Sequence, residues 1–475
     1  MIAPARRVSY QILLQIATSD AHSDELLRSP EVDALPAKDR NLATTLVMGT
    51  LRWQLALDVR IRALLARPDA KLSDEAATAL RMGAYQLLYL DRVPAHAAIH
   101  DGVELVKQTK ERGAAGMVNA VLRKVQGTEH GAQRSGQRTG ISDQRSGRQR
   151  FADGGQRIEG PEPAGELAAA FAHPSWMVER WARRYGLGAA EAICRWDQEP
   201  AAVSVRLDAP DADDGGVALE PGEFLGQARR VVQGDVGRSE LFRAGRVRIQ
   251  DEASQLVGEI AAAAAPGAER VLDTCAAPGG KTAILAERLP EAVITAVDVS
   301  RKRVLAARAE RFARATRDRL QWQVADAAAL RLQPEYGLIL CDVPCSGTGT
   351  IARNPEIRLR VEEAGLERQH ARQVAIVQAA MAGLREGGRL VYSTCSLEAE
   401  ENEAVIEEVL QAHAGLRVVP VGELLDRLAA TGAVTAAGRE RLRSATWDSS
   451  AGSFLRTIPG VHRCDGFFAA VLERL

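Results

Sequence analysis

Along the first 125 residues apolar positions recur at helical spacing. Val8, Ile12 and Ile16 fall four apart behind Pro4, and the segments LATTLVMGTLRWQLALDVRIRALLA and EAATALRMGAYQLLYL continue the pattern. Recurrence every three to four residues gathers apolar side chains on one helix face. Strand-like alternation is scarce, so residues 1–127 predict a compact helical domain. From 128 to 165 the pattern stops. The stretch GAQRSGQRTGISDQRSGRQRFADGGQR has almost no large apolar residue, which predicts a flexible insertion. Residues 166–246 begin with an aromatic, basic helix, HPSWMVERWARRYG, whose Trp and Tyr are expected to pack at a domain junction. Short strands and turns such as AAVSVRLDAP follow, and together they predict a connector with a small α/β subdomain.

Residues 247–475 carry a regular alternation. RVLDTC precedes KTAILAERL, AVITAVDVS precedes RKRVLAARAERFARA, YGLILCDVPC follows LQWQVAD, and GGRLVYSTCS precedes EAEENEAVIEEVLQAH. Strand-length apolar runs separated by amphipathic helices predict a mostly parallel, doubly wound α/β sheet. The final GFFAAVLER reads as one more strand, whose direction periodicity leaves open.

Composition narrows the picture only modestly. The chain has 475 residues, 46% of them hydrophobic and 26% charged, which suits two or three globular domains. Its net charge of −1 argues neither for nor against an anionic partner, so any nucleic-acid site must be a local patch. Between 130 and 157 six Arg face two Asp, and the segment reads either as a solvated spacer or as a phosphate-touching arm. Six cysteines, at 194, 275, 341, 345, 395 and 464, form no C-x-x-C pair and no Cys/His cluster, so no metal is expected. The start MIAPARRVSY lacks an apolar core, and no apolar run approaches the roughly 18 residues of a membrane span. Free thiols in a reducing cytoplasm, with no membrane partner, are the expectation.

The chemistry gathers at strand ends, where ligands bind in open α/β sheets. The first strand delivers CAAPGGKT (275–282), the second ends at Asp298, the third at Asp326, the fourth at Asp342 with PCSGTG, and the fifth at STCS. CAAPGGKT misses the phosphate-binding G-x-x-x-x-G-K-[ST] only because Cys275 stands at the first glycine. Gly279 and Gly280 let a ligand approach the backbone, and the helix near Lys281 offers N–H groups to a carboxylate as readily as to a phosphate. Asp298 follows Gly279 by 19 residues, the position from which an acid grips ribose hydroxyls. Further acids at 326 and 342 suit a cationic nucleoside with an amino-acid tail better than a triphosphate, and S-adenosylmethionine has that chemistry. Cys345 and Cys395 both stand just past strand ends in Ser/Thr/Gly loops, whereas Cys275 and Cys341 lie in or beside apolar runs. A thiolate adding to C6 of a cytosine or uracil makes C5 nucleophilic toward a methyl donor. Which thiol attacks, the residues alone leave open.

With CAAPGGK, DVPCSGTGT and STCSLEAEEN in one chain, the region from about 247 onward resembles the NOL1/NOP2/Sun family of RNA cytosine-5 methyltransferases. RNLATTLVMGTLRW, GAYQLLYLDRVPAHAAIHDGVELVK and GMVNAVLRKV are similar to the NusB-like RNA-binding domain that precedes the catalytic domain of a bacterial 16S ribosomal RNA methyltransferase. The resemblance implies a Rossmann-like, class I S-adenosylmethionine-dependent methyltransferase domain. It implies methylation of C5 of a cytosine in 16S ribosomal RNA, of the cytosine 967 type, by a monomer. A tRNA-modifying relative is the alternative. Carried over by position, Cys275, Ala276, Ala277, Pro278, Gly279, Gly280 and Lys281 surround the methionine part of the cofactor. Asp298 holds the ribose hydroxyls, with Arg303 nearby, and Asp326 reaches the adenine amino edge. Asp342 sits beside the methyl group and the base, and Pro344 shapes its turn. Cys395 attacks C6 and Cys345 assists product release. Arg353 and Arg358 stand as either phosphate contacts or solvated loop charges.

Three rivals predict different behaviour. A P-loop ATPase would tolerate neither Cys275 at the first glycine nor the series of acids. A non-catalytic RNA-binding assembly factor would not need both thiols. A DNA cytosine methyltransferase attacks through a Pro-Cys thiol, but STCS and the helical front are foreign to it.

Overall fold

The computed structural model describes residues 2–134, 162–208, 216–308 and 314–475. The chain divides into two compact units, Met1–Glu199 with Arg353–Arg360, and Pro200–Ala352 with Val361–Leu475.

Among its described residues, every regular element of the first unit is a helix. Its opening helix, Pro4–Thr18, starts with proline, which has no N–H to leave unpaired. Ile12, Leu13 and Ile16 are buried along its inner face. The helices Ala37–Leu64, Asp74–Tyr89, Ala95–Lys107 and Ala115–Arg134 complete the bundle around Leu46, Leu57, Leu80 and Leu122. Gly49 lets two helices close up, because a Cβ there would fall 2.0 Å from the Tyr85 ring. The expected insertion falls mostly on residues 135–161, outside the described residues, between this bundle and the helix Glu162–Ala170. HPSWMVERWARRYG supplies the helix Ser175–Tyr185, with Trp181 buried against His173.

Arg358 departs from both sequence expectations. It is 1% exposed, and its guanidinium donates to the carbonyl oxygens of Arg52, Phe171, Ala172 and Asp197. It is a clamp inside the first unit, sealed from phosphate and from solvent. Glu356, in the same segment, is also buried and accepts from the backbone and hydroxyl of Ser23, both at 2.8 Å.

The second unit holds two sheets. In the smaller, β1 (Ser204–Leu207), β2 (Ala218–Pro221), β3 (Ala228–Gln233) and β4 (Val247–Ile249) run antiparallel in the order β2-β3-β1-β4. The expected connector is thus divided: its helices up to Gln198 lie in the first unit, and its strands, with the short helix Glu240–Arg243, lie in the second. The larger sheet contains β5 (Arg270–Asp273), β6 (Val293–Asp298), β7 (Leu320–Val324), β8 (Tyr336–Asp342) and β9 (Leu384–Thr394). These five are parallel in the order β7-β6-β5-β8-β9. Then come β10 (Leu416–Val419), β11 (Thr446–Ser449), β12 (Gly452–Thr457) and β13 (Phe467–Arg474). β13 settles the direction that periodicity left open: it runs antiparallel to β9, and its other edge takes β12 and β10, also antiparallel. Leu338 to Cys341 in β8 are wholly buried, as a strand covered on both faces requires. This is the expected doubly wound, Rossmann-like sheet. The chain leaves β5 toward β6 on one side and meets β8 on the other, so the order reverses beside β5 and opens a crevice at the carboxyl ends.

Candidate active site

The first wall of the crevice is the loop after β5. Thr274 N–H donates to the Leu340 carbonyl at 2.9 Å, holding the chain beside β8, and Ala276 N–H donates to Val297 at 2.8 Å, turning it toward β6. Gly279 follows at φ +110°, where a Cβ would also press on Trp322 at 3.3 Å, so the turn requires glycine. The helix Gly280–Arg288 starts here, and the N–H groups of its first turn are those a helix cannot satisfy internally. Asp273, 1% exposed, accepts from the Thr282 hydroxyl at 2.7 Å and ties the helix to β5. Burial pushes its carboxyl up to about 7.

Asp298 is buried at the end of β6. It accepts from Ser300 N–H at 2.8 Å and from Ala277 N–H at 3.2 Å, and so joins β6 to the loop. Arg303 lies 3.7 Å from the same carboxylate and donates to the Ala277 carbonyl. Two backbone donors leave a carboxylate lone pairs for hydroxyls. Val299, next to it, is 58% exposed, an apolar surface that sequence reading missed although an apolar residue after a strand-end acid was its signal. Asp326 is exposed and caps a short turn through Ala328 N–H at 3.1 Å. A glycine turn that a Cβ would close, a helix start and an acid with free lone pairs fit S-adenosylmethionine.

The second wall is Asp342. One oxygen accepts from Lys281 Nζ and the other from the Ser393 hydroxyl, each at 2.7 Å. The carboxylate therefore joins the helix start after the 275–281 loop to β8 and β9. Lys281 also lies 4.9 Å above the Phe467 ring.

The third wall carries the thiols. Cys345 and Cys395 follow adjacent strands, and their sulfurs are 3.3 Å apart. Cys345 is pushed well above the ordinary thiol range, first by its hydrogen bond with Cys395, then by burial and by the charges of Cys395 and Glu401. Gly349 N–H donates to the Cys395 carbonyl at 2.9 Å. Gly349 must be glycine, because a Cβ would strike the Gly466 carbonyl at 2.2 Å. The other thiols stand apart from this chemistry: burial pushes Cys341 up to about 12 and raises Cys275, Cys194 and Cys464. Cys275 opens the loop after β5, where its sulfur accepts from the Thr274 hydroxyl at 3.8 Å.

The structure thus brings residues 275–281, Asp298, Asp342, Cys345 and Cys395 together along one set of strand ends. Sequence reasoning missed Ser393, Gln373 and Glu401. Gln373, fully buried, donates to the Pro344 carbonyl at 3.0 Å and to Glu401 at 3.2 Å. Among the described residues, no three His, Cys, Asp or Glu side chains form a metal-holding group, and no helix is long and apolar enough to cross a membrane.

Residues 262–473 match the family model described as 16S rRNA methyltransferase RsmB/F, and residues 3–127 match that of the NusB family. The chain is 32% identical over 427 residues to a probable ribosomal RNA small subunit methyltransferase B of Bacillus subtilis (strain 168), a match covering 86% of this chain and 88% of that one. It is 30% identical over 488 residues to a protein of the same description from Synechocystis sp., covering 99% of each. The crystal structure of PH0851 shares the fold with a TM-score of 0.74 at 21% identity, over 100% of this chain and 99% of that one.

Proposed function

The chain belongs to the RsmB/F family of 16S ribosomal RNA methyltransferases, and on that footing we propose that it methylates C5 of one cytosine in 16S rRNA, of the cytosine 967 type, through a covalent adduct with Cys395. S-adenosylmethionine is the cofactor and supplies the methyl group. The loop Cys275–Lys281 holds its methionine part, Asp298 its ribose hydroxyls and Asp326 its adenine edge.

The thiolate of Cys395 adds to C6 of the base, and the displaced electron pair makes C5 nucleophilic. Asp342 accepts from the N4 amino group, and its bond with Lys281 supports this reading by tying it to the loop 275–281. Once C5 carries the methyl group, its proton leaves to a base and the C6–S bond breaks, restoring the aromatic ring and the Cys395 thiolate. Cys345, in contact with Cys395, assists that release. Holding thiol and base in line supplies much of the acceleration. The cytosine must leave any stack to reach the crevice, which is least costly in a loop or single strand. The enzyme works as a cytoplasmic monomer in this reading.

The observation that carries the proposal is the pair of thiols 3.3 Å apart on adjacent strand ends, beside a carboxylate bonded to the cofactor loop. The test is methylation of unmodified 16S rRNA with labelled cofactor, followed by mapping of the base and of the RNA–protein bond. Cys395→Ala should abolish both transfer and covalent capture, and Cys345→Ala should accumulate the adduct. Capture of RNA by Cys395→Ala through Cys345 overturns the assignment, and methylation of tRNA in place of rRNA overturns the substrate.

A further inference from the structure

Glu401 lies in the short turn Ala399–Glu401 that follows the second thiol, and it is fully buried. Burying a carboxylate is costly, and it persists where hydrogen bonds compensate it. Here the donors come from around both thiols. Oε1 accepts from Ser346 N–H at 2.7 Å and from Gln373 Nε2 at 3.2 Å. Oε2 accepts from the Ser396 hydroxyl at 2.5 Å and from the Ser346 hydroxyl. Ser346 directly follows Cys345, and Ser396 directly follows Cys395. One carboxylate therefore grips both Cys-Ser dipeptides, and the two hydroxyls meet each other at 3.1 Å. The turn that carries the carboxylate is itself held, because the Tyr392 hydroxyl donates to the Glu401 carbonyl at 2.5 Å. The grip is uneven: Ser346 gives two of these bonds and Ser396 one.

Resting on the two-thiol reading above, we propose that Glu401 is a positioning residue for the methyl transfer, which fixes the contact between the sulfurs and, by holding Ser346 through two bonds and Ser396 through one, assigns the attack to Cys395. The electrostatics run the same way. Cys345 is held in its neutral form first by its hydrogen bond with Cys395 and by burial, and the negative charge of Glu401 adds to them. A thiol that keeps its proton is the poorer nucleophile, which leaves the attack to the other sulfur of the pair. Glu401 touches neither base nor cofactor in this scheme; it acts through the thiols.

Glu401→Gln separates charge from scaffold. The amide oxygen can accept from Ser346 N–H, and the amide N–H groups can donate to the two hydroxyls, so the network survives while the charge is lost. The full-length protein is incubated with S-adenosylmethionine and a 16S rRNA transcript containing 5-fluorocytosine, which cannot lose a proton from C5 and stays bonded to the enzyme. Peptide mapping then identifies the bonded cysteine, and single-turnover rates on ordinary transcript give the pH profile. Wild type should be captured through Cys395 alone. Glu401→Gln should divide the adduct, with at least about a tenth on Cys345, and the alkaline limb of its rate profile should move down by about one pH unit. Ser346→Ala, which removes that hydroxyl's bonds with Glu401 and Ser396 but keeps the Ser346 N–H bond and the charge, should divide it to a smaller degree. A role in folding alone would lower the rate equally at every pH and leave the adduct on Cys395. That result in both variants overturns this proposal and leaves the two-thiol reading standing. Absence of a Cys395 adduct in wild type defeats the reading itself.

Discussion

The ion pair between Lys281 and Asp342 should cost stability when half of it is removed and much less when all of it is. The ammonium lies 2.7 Å from the carboxylate, with side-chain exposures of 10% and 27%. At that burial the pair has given up most of its water, and breaking one partner strands the other. Breaking a fully buried pair costs roughly 3–5 kcal/mol, and the residual exposure of Asp342 trims this to about 2–3 kcal/mol for Asp342→Asn. Asparagine keeps the hydrogen bond with Ser393 and loses only the charge. Replacing both partners, as in Lys281→Met with Asp342→Asn, removes the stranded ammonium and places an apolar chain against Phe467, where the lysine already rests. The double variant should therefore recover about 1–2 kcal/mol relative to Asp342→Asn, because replacing both members of a buried pair is often nearly neutral. The assay is urea denaturation of the full chain without cofactor, comparing midpoints and slopes among wild type, both single variants and the double. Methyl transfer should be lost in all three variants, so stability returns in the double variant while activity does not. If the double variant is destabilised by the sum of the single effects, the pair is not coupled and the bridge between Lys281 and β8 is wrongly assigned.

Further outcomes follow from the same geometry. Gly279→Ala should weaken S-adenosylmethionine binding about tenfold or more in calorimetry, since a side chain at φ +110° costs on the order of 1–3 kcal/mol and this one also presses on Trp322; unchanged affinity would remove the loop from the cofactor site. Asp273 has its folded pKa raised from 3.8 to about 7, so the native state holds the proton more tightly and its burial penalty grows as pH rises from about 4 to 7. Asp273→Asn should accordingly gain about 3 kcal/mol relative to wild type on going from pH 5 to pH 8, read from denaturation midpoints at each pH; a constant difference contradicts the shift. Arg358→Met should destabilise the first unit by about 3 kcal/mol, because four carbonyls lose a charged donor, while the salt dependence of RNA binding stays unchanged. A shallower salt slope in that variant would restore the phosphate contact that burial denies it.

The strand-end chemistry was legible because it is local. Right-handed βαβ connections bring successive carboxyl ends to one edge, so five short motifs read in order describe one crevice before any distance is known. Asp298 could be placed from its spacing after Gly279, and the structure finds it bonded to that same loop through Ala277. Glu401 could not be placed in this way. In LEAEEN it is one acid among three, and such a run usually marks a solvated helix start. What distinguishes it is the convergence of Ser346, Gln373 and Ser396, which come from three separated segments. Arg358 was unreadable for the same reason, since its acceptors lie at positions 52, 171, 172 and 197. A side chain's type says what it can bond; its role depends on whether distant partners withdraw it from water. On the proposed reading, the thiol chemistry belongs to the first category and the choice between the thiols to the second. Taken residue by residue the two Cys-Ser dipeptides are alike, and the structure makes them unequal through one buried carboxylate, five residues beyond Ser396, that takes two hydrogen bonds from Ser346 and one from Ser396.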